Sequence, residues 1–504
     1  MNNLSDHSVK RNSIRFTLFF IIAGFSLTGR TQVQTLNFTL DDVIRIAREQ
    51  SPRAIMARHR FRGSYWEYRT HIAKFRPSLT LEGTLPNLDR SIDIVTLPDG
   101  DDAFVDRSQV TYDVTASLRQ NIAPTGGTVF MSSGLRRIDL LRADQTTSTY
   151  SSTPVSIGLR QPIKAHNSFR WEKKIEPLKY ETAQKNYVES LEQVSLTAVN
   201  YFFNLALAQV NLQIAQLNYH NNDTLYQIAR GRYNIGTIAE NELLQLELAF
   251  LTSSTDLNEA GIQLELTRFQ LRSFLGYNEN VEIELIIPEE IPDMEVDVAR
   301  ALEQAHANNP EIIDLQRQLL EADASVAEAK AERGLQADLF AQFGLTQQSP
   351  SIANVYDNTQ DWERLRVGLE VPILDWGLAK GRFKMAQSNQ EVTRTNVLQD
   401  EIDFDQNVML QVMQFNLQDD QLRIAAKSDT VAQLRYNVTK QRFYIGKIDV
   451  TDLNIALTER DDATRRYLSA LHNYWSYFFN IRRLTLYDFQ KDLPLNEDFE
   501  ILIE

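Results

Sequence analysis

Apolar residues recur at intervals of three and four along two long polar runs, residues 167–235 and 375–445. That spacing marks one face of an α-helix. Each run is about 70 residues of helix-forming composition, a rod of roughly 100 Å and far longer than a globular helix. The first ends in Arg232-Tyr233-Asn234-Ile235-Gly236 and the second in Arg442-Phe443-Tyr444-Ile445-Gly446. A returning helix is expected after each glycine, over residues 238–275 in the first case. Residues 40–74 and 296–333 also read as helix, each broken once, at Ser51-Pro52 and at Asn309-Pro310. Laid end to end, one returning helix and one broken pair match a rod in length.

Between the short helices and the rods the period changes to two. Leu79, Leu81 and Leu85 alternate with polar residues, as do Leu339, Ala341, Phe343 and Leu345. Immediately before the rods, Val155, Ile157, Leu159 and Ile163 form one such run, and Val367, Leu369, Val371 and Ile373 another. A half-buried strand and a lipid-facing barrel strand both have this pattern. The first half carries 48 residues more than the second between its break proline and its pre-rod proline. That insertion holds two further alternating runs, 110–122 and 129–137, joined by Thr125-Gly126-Gly127, a hairpin signal. It reads as an extracellular extension or an added barrel pair. Residues 99–102 and the Ser/Thr-rich run 144–153 read as exposed loops.

The two halves are copies. Pro162 and Pro372, Arg232 and Arg442, Gly236 and Gly446, Glu242 and Asp452, and Tyr277 and Tyr487 all pair at one offset of 210 residues. An inserted residue would turn a packed helix by about 100° and shift its tip by about 1.5 Å, so the constant offset implies tips at one level. The expected division is therefore 1–33 as a targeting segment, 34–290 and 291–490 as two repeats, and 491–504 as a tail.

Composition bears on compartment and partner. Net charge is −15, which disfavours nucleic acid. There is no cysteine in the 504 residues, so disulfides and thiolate metal sites are excluded. Lys10, Arg11 and Arg15 precede an apolar run, 16–27, too short to span a bilayer. It reads as a secretory signal peptide cleaved between Gly29 and Gln34, with a short membrane anchor as the alternative. No later apolar run could cross a membrane as a helix, so an exported membrane form would cross as β-strands.

The order of strand pair, long helix, glycine tip and returning helix, given twice, resembles the TolC-like outer-membrane efflux family. The residues that carry the likeness include Leu40-Asp41-Asp42-Val43, Ser51-Pro52, Gln161-Pro162-Ile163 and Val371-Pro372-Ile373-Leu374-Asp375-Trp376-Gly377, with the two tips. The resemblance implies a mainly α protein with membrane β structure: a homotrimer whose strands share one outer-membrane barrel and whose helices form a periplasmic coiled-coil tunnel. Barrel closure argues the same way, because four or six strands cannot enclose a channel alone. Four per chain in three chains would give about 12.

The same resemblance implies an exit duct that takes small molecules from a periplasmic adaptor (membrane fusion protein) and an inner-membrane transporter through the outer-membrane lipid. A type I secretion duct and a soluble periplasmic coiled-coil scaffold are the alternatives. It implies adaptor docking at the tips, Arg232, Ile235, Gly236, Arg442, Ile445 and Gly446. It also implies a pore constriction at Glu242, Phe443 and Asp452, where carboxylates from three chains could hold a pore-blocking cation. The bland reading of Glu242 and Asp452 is a solvated helix face. Ile455 stands where the family has a further acid, Phe443 replaces its gating tyrosine, and Ile448 replaces its nearby arginine.

The residues themselves suggest no catalysis and no cofactor. The seven histidines are scattered without metal-ligand spacing, and no phosphate-binding loop occurs. Tyr474, Trp475, Tyr477, Phe478 and Phe479 read as packing in the tunnel wall near the barrel, or else as an interfacial aromatic belt.

Overall fold

The computed structural model describes residues 35–142, 145–277, 282–288, 291–292 and 294–503. The expected signal peptide and Asp144 lie outside them. The first described elements are β1 (Thr35–Phe38), α1 (Leu40–Gln50) and α2 (Pro52–Lys74). Then come β2 (Ser78–Thr96), β3 (Asp102–Ile122), β4 (Gly127–Leu141) and β5 (Thr146–Lys164). The first hairpin is α3 (Ser168–Asn234) with α4 (Glu240–Leu275), followed by β6 (Glu282–Leu285). The plan then repeats: α5 (Val298–Asn308), α6 (Pro310–Glu332), β7 (Gln336–Ser349) and β8 (Gln360–Glu370). A second hairpin of α7 (Leu378–Asn416), α8 (Gln418–Tyr444) and α9 (Val450–Thr485) closes it, with β9 (Tyr487–Asp488) and β10 (Leu493–Pro494) after.

Local chemistry explains the helix ends. Ser51 accepts from the Ala54 N–H and Asn309 from the Glu311 N–H, and each precedes a proline at the first helical position, where a missing N–H costs nothing. Gly276 caps α4 at φ +81° and lies against Gln50 and Pro52, so the end of α4 abuts the α1–α2 junction. Thus α3, 67 residues long, is covered by α1 and α2 along one part and by α4 along the other.

Two expectations about the second rod need correction. Its helix begins at Leu378 rather than Asp375, and it breaks at Leu417. The Asn416 side chain leaves the helix to accept the Val296 N–H (3.1 Å) and donate to the Val296 carbonyl (2.9 Å). Ala206, at the matching place in α3, makes no such demand.

Six strands form one antiparallel sheet in the order β2-β3-β4-β5-β7-β8. The inserted β3–β4 pair therefore sits inside the sheet, and the estimate of four strands per chain is superseded. Residues 146–153, expected as loop, extend β5 and pair with β4 from Leu141 to Gly134. Both outer edges, β2 and β8, are unpaired among the described residues.

The largest apolar core lies at the waist, where Phe202, Phe203, Leu271, Leu275, Phe415, Leu471, Tyr474 and Phe478 are buried together. The aromatic run ending α9 belongs here and not near the barrel. Phe415, which meets Tyr474 at 5.4 Å, lies at the far end of the 39-residue α7, about 58 Å along the helix from the strands. Burial there also rules out an interfacial belt. Among the described residues no helix is long and apolar enough to cross a membrane.

Candidate channel surfaces

The tip glycines do what the sequence asks of them. Gly236 and Gly446 adopt φ +74° and +73°, a left-handed conformation that only glycine takes without steric cost. Each turn is closed alike: the Thr237 N–H donates to the Arg232 carbonyl and the Lys447 N–H to the Arg442 carbonyl, both at 3.0 Å. These bonds satisfy carbonyls left open at a helix end. Ile235 and Ile445 are 74% and 66% exposed. Two matched tips thus present an apolar side chain beside a glycine with nothing packed on it.

Between the tips runs a cleft of about 480 Å³ lined by residues of both repeats, among them Arg232, Glu242, Phe443 and Gly446. Arg232, Ile235, Gly236, Arg442, Ile445 and Gly446 therefore all lie at the tips, while Asp452 stands apart on the exposed first turn of α9. Its backbone N–H is capped by the Asp449 carboxylate at 2.9 Å. Glu242 is half-buried in the first turn of α4.

Phe443 belongs to the core of the tip. Its ring is 6% exposed within a tip core of Leu225, Ala229, Leu246, Val450 and Leu453, with the Arg232 guanidinium 5.9 Å from its centroid. It packs between the two hairpins and also lines the cleft between the tips.

Farther from the tip a polar clasp joins the two hairpins. Arg460 donates to Asn218 (3.0 Å) and to Asp461, and Asn218 donates to Asp461 (2.7 Å). Arg460 also lies 4.3 Å over the Tyr436 ring. Burial raises the Tyr436 pKa, and burial with the nearby Arg460 lowers that of Lys440, which donates to Asn221. Sequence reasoning missed this cluster. Its signal was there: the apolar stripe of α9 passes from Ala456 to Ala463 through the adjacent charges Arg460 and Asp461.

The sheet has two unlike faces. Leu79, Leu81 and Leu85 on β2 share one with Leu118 on β3, Met131 on β4, Ile157 on β5, Phe343 on β7 and Val367 on β8. Most of these are well exposed in the single chain. Toward the outer end, Arg137 lies between the rings of Tyr112 (5.6 Å) and Tyr150 (5.7 Å), side chains suited to a lipid–water boundary. The opposite face carries Glu82, Asp113, Arg119, Arg136, Arg160 and Arg366.

Among the described residues no cluster of three or more His, Cys, Asp or Glu side chains within the chain could hold a metal ion.

Solved structures similar to this chain include outer membrane channels. The Campylobacter jejuni CmeC outer membrane channel aligns at 14% identity over 92% of this chain and 88% of its own, with a TM-score of 0.64. The outer membrane protein VceC of Vibrio cholerae aligns at 13% identity over 88% and 95%, with a TM-score of 0.63. The open-state Neisseria gonorrhoeae MtrE outer membrane channel aligns at 15% identity over 88% of both, with a TM-score of 0.59. No curated protein sequence matches significantly. The profile of the family described as outer membrane efflux protein covers residues 43–277 and 301–485. Nearly all of the two-repeat body is so matched, and the chain belongs to the outer membrane efflux protein family.

Proposed function

We propose that three copies of this chain close one barrel and one tunnel, forming the exit duct of a tripartite efflux assembly. The observation that carries this reading is a set of surfaces left unsatisfied in one chain. The sheet has two open edges, and an open edge in lipid leaves backbone groups without partners. Joining β8 of one copy to β2 of the next removes every edge and gives about 18 strands, within the range of membrane barrels.

The helical body has matching needs. Leu244, Leu248, Leu251, Ile262, Leu266 and Phe269 form an exposed stripe on α4, and Met413, Leu417, Ile424, Val431, Leu434 and Val438 another along α7–α8. Both follow the three-and-four spacing of a coiled-coil seam. The α4 stripe of one copy packs on the α7–α8 stripe of its neighbour.

Ile235, Gly236, Ile445 and Gly446, with Arg232 and Arg442, form the docking tips for a periplasmic adaptor that links the duct to an inner-membrane transporter. Asp452, the more exposed of the two acids, supplies a carboxylate ring at the constriction. Cargo is small molecules, and the duct conducts them passively.

Fractionation tests the assembly. The protein should resist extraction by buffer and run in mild detergent as an oligomer that heat converts to monomer. Release by buffer as a monomer would instead support a soluble scaffold.

A further inference from the structure

The polar face of the sheet carries a row that neither the family match nor the tips account for. Arg119 on β3 pairs with Phe130 on β4, and Phe130 pairs with Gly158 on β5. Two residues along β5, Arg160 pairs with Phe340 on β7, which pairs in turn with Arg366 on β8. With that step of two residues along β5, the side chains met across the five strands are Arg119, Phe130, Arg160, Phe340 and Arg366.

The row is physically connected. The Phe130 and Phe340 rings stack at 5.9 Å and 27°. Gly158 makes the contact possible, since a Cβ there would stand 2.2 Å from the Phe130 ring. The guanidinium groups of Arg160 and Arg366 lie 5.9 Å and 5.4 Å from the Phe340 centroid. All three arginines are exposed. Among the described residues none of them forms an ion pair, although Glu82 and Asp338 share the face.

We infer that this row is a binding site in the barrel lumen for amphipathic organic anions, a carboxylate or sulfonate on an aromatic body. A guanidinium offers a planar fork of donors that matches such a head group bidentately, and its aromatic stacking holds that fork in place. The phenyl faces receive the apolar body. Among the described residues no ion pair engages these guanidinium groups, so an anion gains attraction without breaking an existing pair. Closing three copies would place nine such arginines around the lumen, opposite in sign to the Asp452 ring at the tips. The inference rests on the proposed closure of the barrel with this face inward.

The test uses the purified full-length oligomer in planar bilayers, with 8-anilino-1-naphthalenesulfonate added on the barrel side. Its uncharged relative N-phenyl-1-naphthylamine is the control. The sulfonate should block the wild-type current. A triple variant, Arg119→Gln with Arg160→Gln and Arg366→Gln, should need about tenfold more of it or higher, the worth of one lost charge-assisted contact. Its reversal potential in a KCl gradient should shift toward cations, and block by the neutral amine should stay the same. Because these side chains make no ion pair, the triple variant should still assemble. The Arg→Lys triple keeps the charge, and should retain the reversal potential while losing part of the block. Channels that conduct with unchanged block and selectivity in the Gln variant would overturn the inference and leave the duct intact. Absence of any conductance in the wild type would overturn both.

Discussion

Gly446→Val isolates what the tip contributes. At φ +73° a β-branched side chain is strained, by roughly 1–2 kcal/mol for the left-handed conformation. Nothing lies within 4 Å of the site, so no clash adds to this figure. The two turn bonds, Gly446 N–H to the Phe443 carbonyl (2.9 Å) and Lys447 N–H to the Arg442 carbonyl (3.0 Å), are the contacts the strain opposes. A penalty of that size lowers the population of the closed turn by about 5- to 30-fold. Phe443 is three residues away, so its burial loosens with the turn. Asparagine tolerates the left-handed region, so Gly446→Asn should behave nearly as wild type. The assay is export of a transported dye by cells carrying each variant, with site-specific cross-linking of the tip to the adaptor. Oligomer yield should be equal for both, because the strands are remote from the tip. Normal export and cross-linking by Gly446→Val would refute the docking role of this turn.

Three further outcomes follow from the geometry. Asp452→Asn should weaken cation selectivity and divalent block in bilayer recordings while leaving heat stability unchanged, since an exposed carboxylate contributes little; equal block would return Asp452 to a solvated helix face. Glu192 is fully buried between Arg48 (2.6 Å) and Arg482 (3.0 Å), so Glu192→Ala removes the carboxylate they share and leaves Arg48 with Glu497 alone and Arg482 with Asp488 alone; it should cost about 1–3 kcal/mol, seen as a lower dissociation temperature of the oligomer. Burial lowers the His472 pKa below its usual 6.5; the unfolded chain then takes up the proton first, stability falls as pH drops below that value, and His472→Gln should flatten the loss between neutral and acidic pH.

Much of this molecule was legible because its rules are local. Apolar spacing gave the rods, a proline and its capping residue gave each break, and glycine gave each tip. The errors lie where a distant contact decides. Nothing near Leu417 announces a break; there the side chain of Asn416, the last residue of α7, bonds to the backbone of Val296, 120 residues away. Residues 146–153 looked like loop from their serines and threonines, yet Thr147 and Thr149 suit a pleated surface and are held by β4. The burial of Phe443 was not legible because the tip core arises only when both hairpins meet. The arginine–phenylalanine row was hidden by register shifts, at Ser132/Gly134 in one pair of strands and at Ser152/Ser156 in the next.

The central claim is that neighbouring chains share one barrel through β8 and β2. The chain contains no cysteine, so paired substitutions can be read without background. One member of each pair would come from Leu79→Cys or Leu81→Cys on β2, and the other from Leu365→Cys or Val367→Cys on β8. Oxidised in intact outer membranes, at least one pair should give covalent dimers and trimers that survive boiling, and the single variants none. Monomers alone from every pair, in membranes where the protein is present and folded, would contradict the shared barrel.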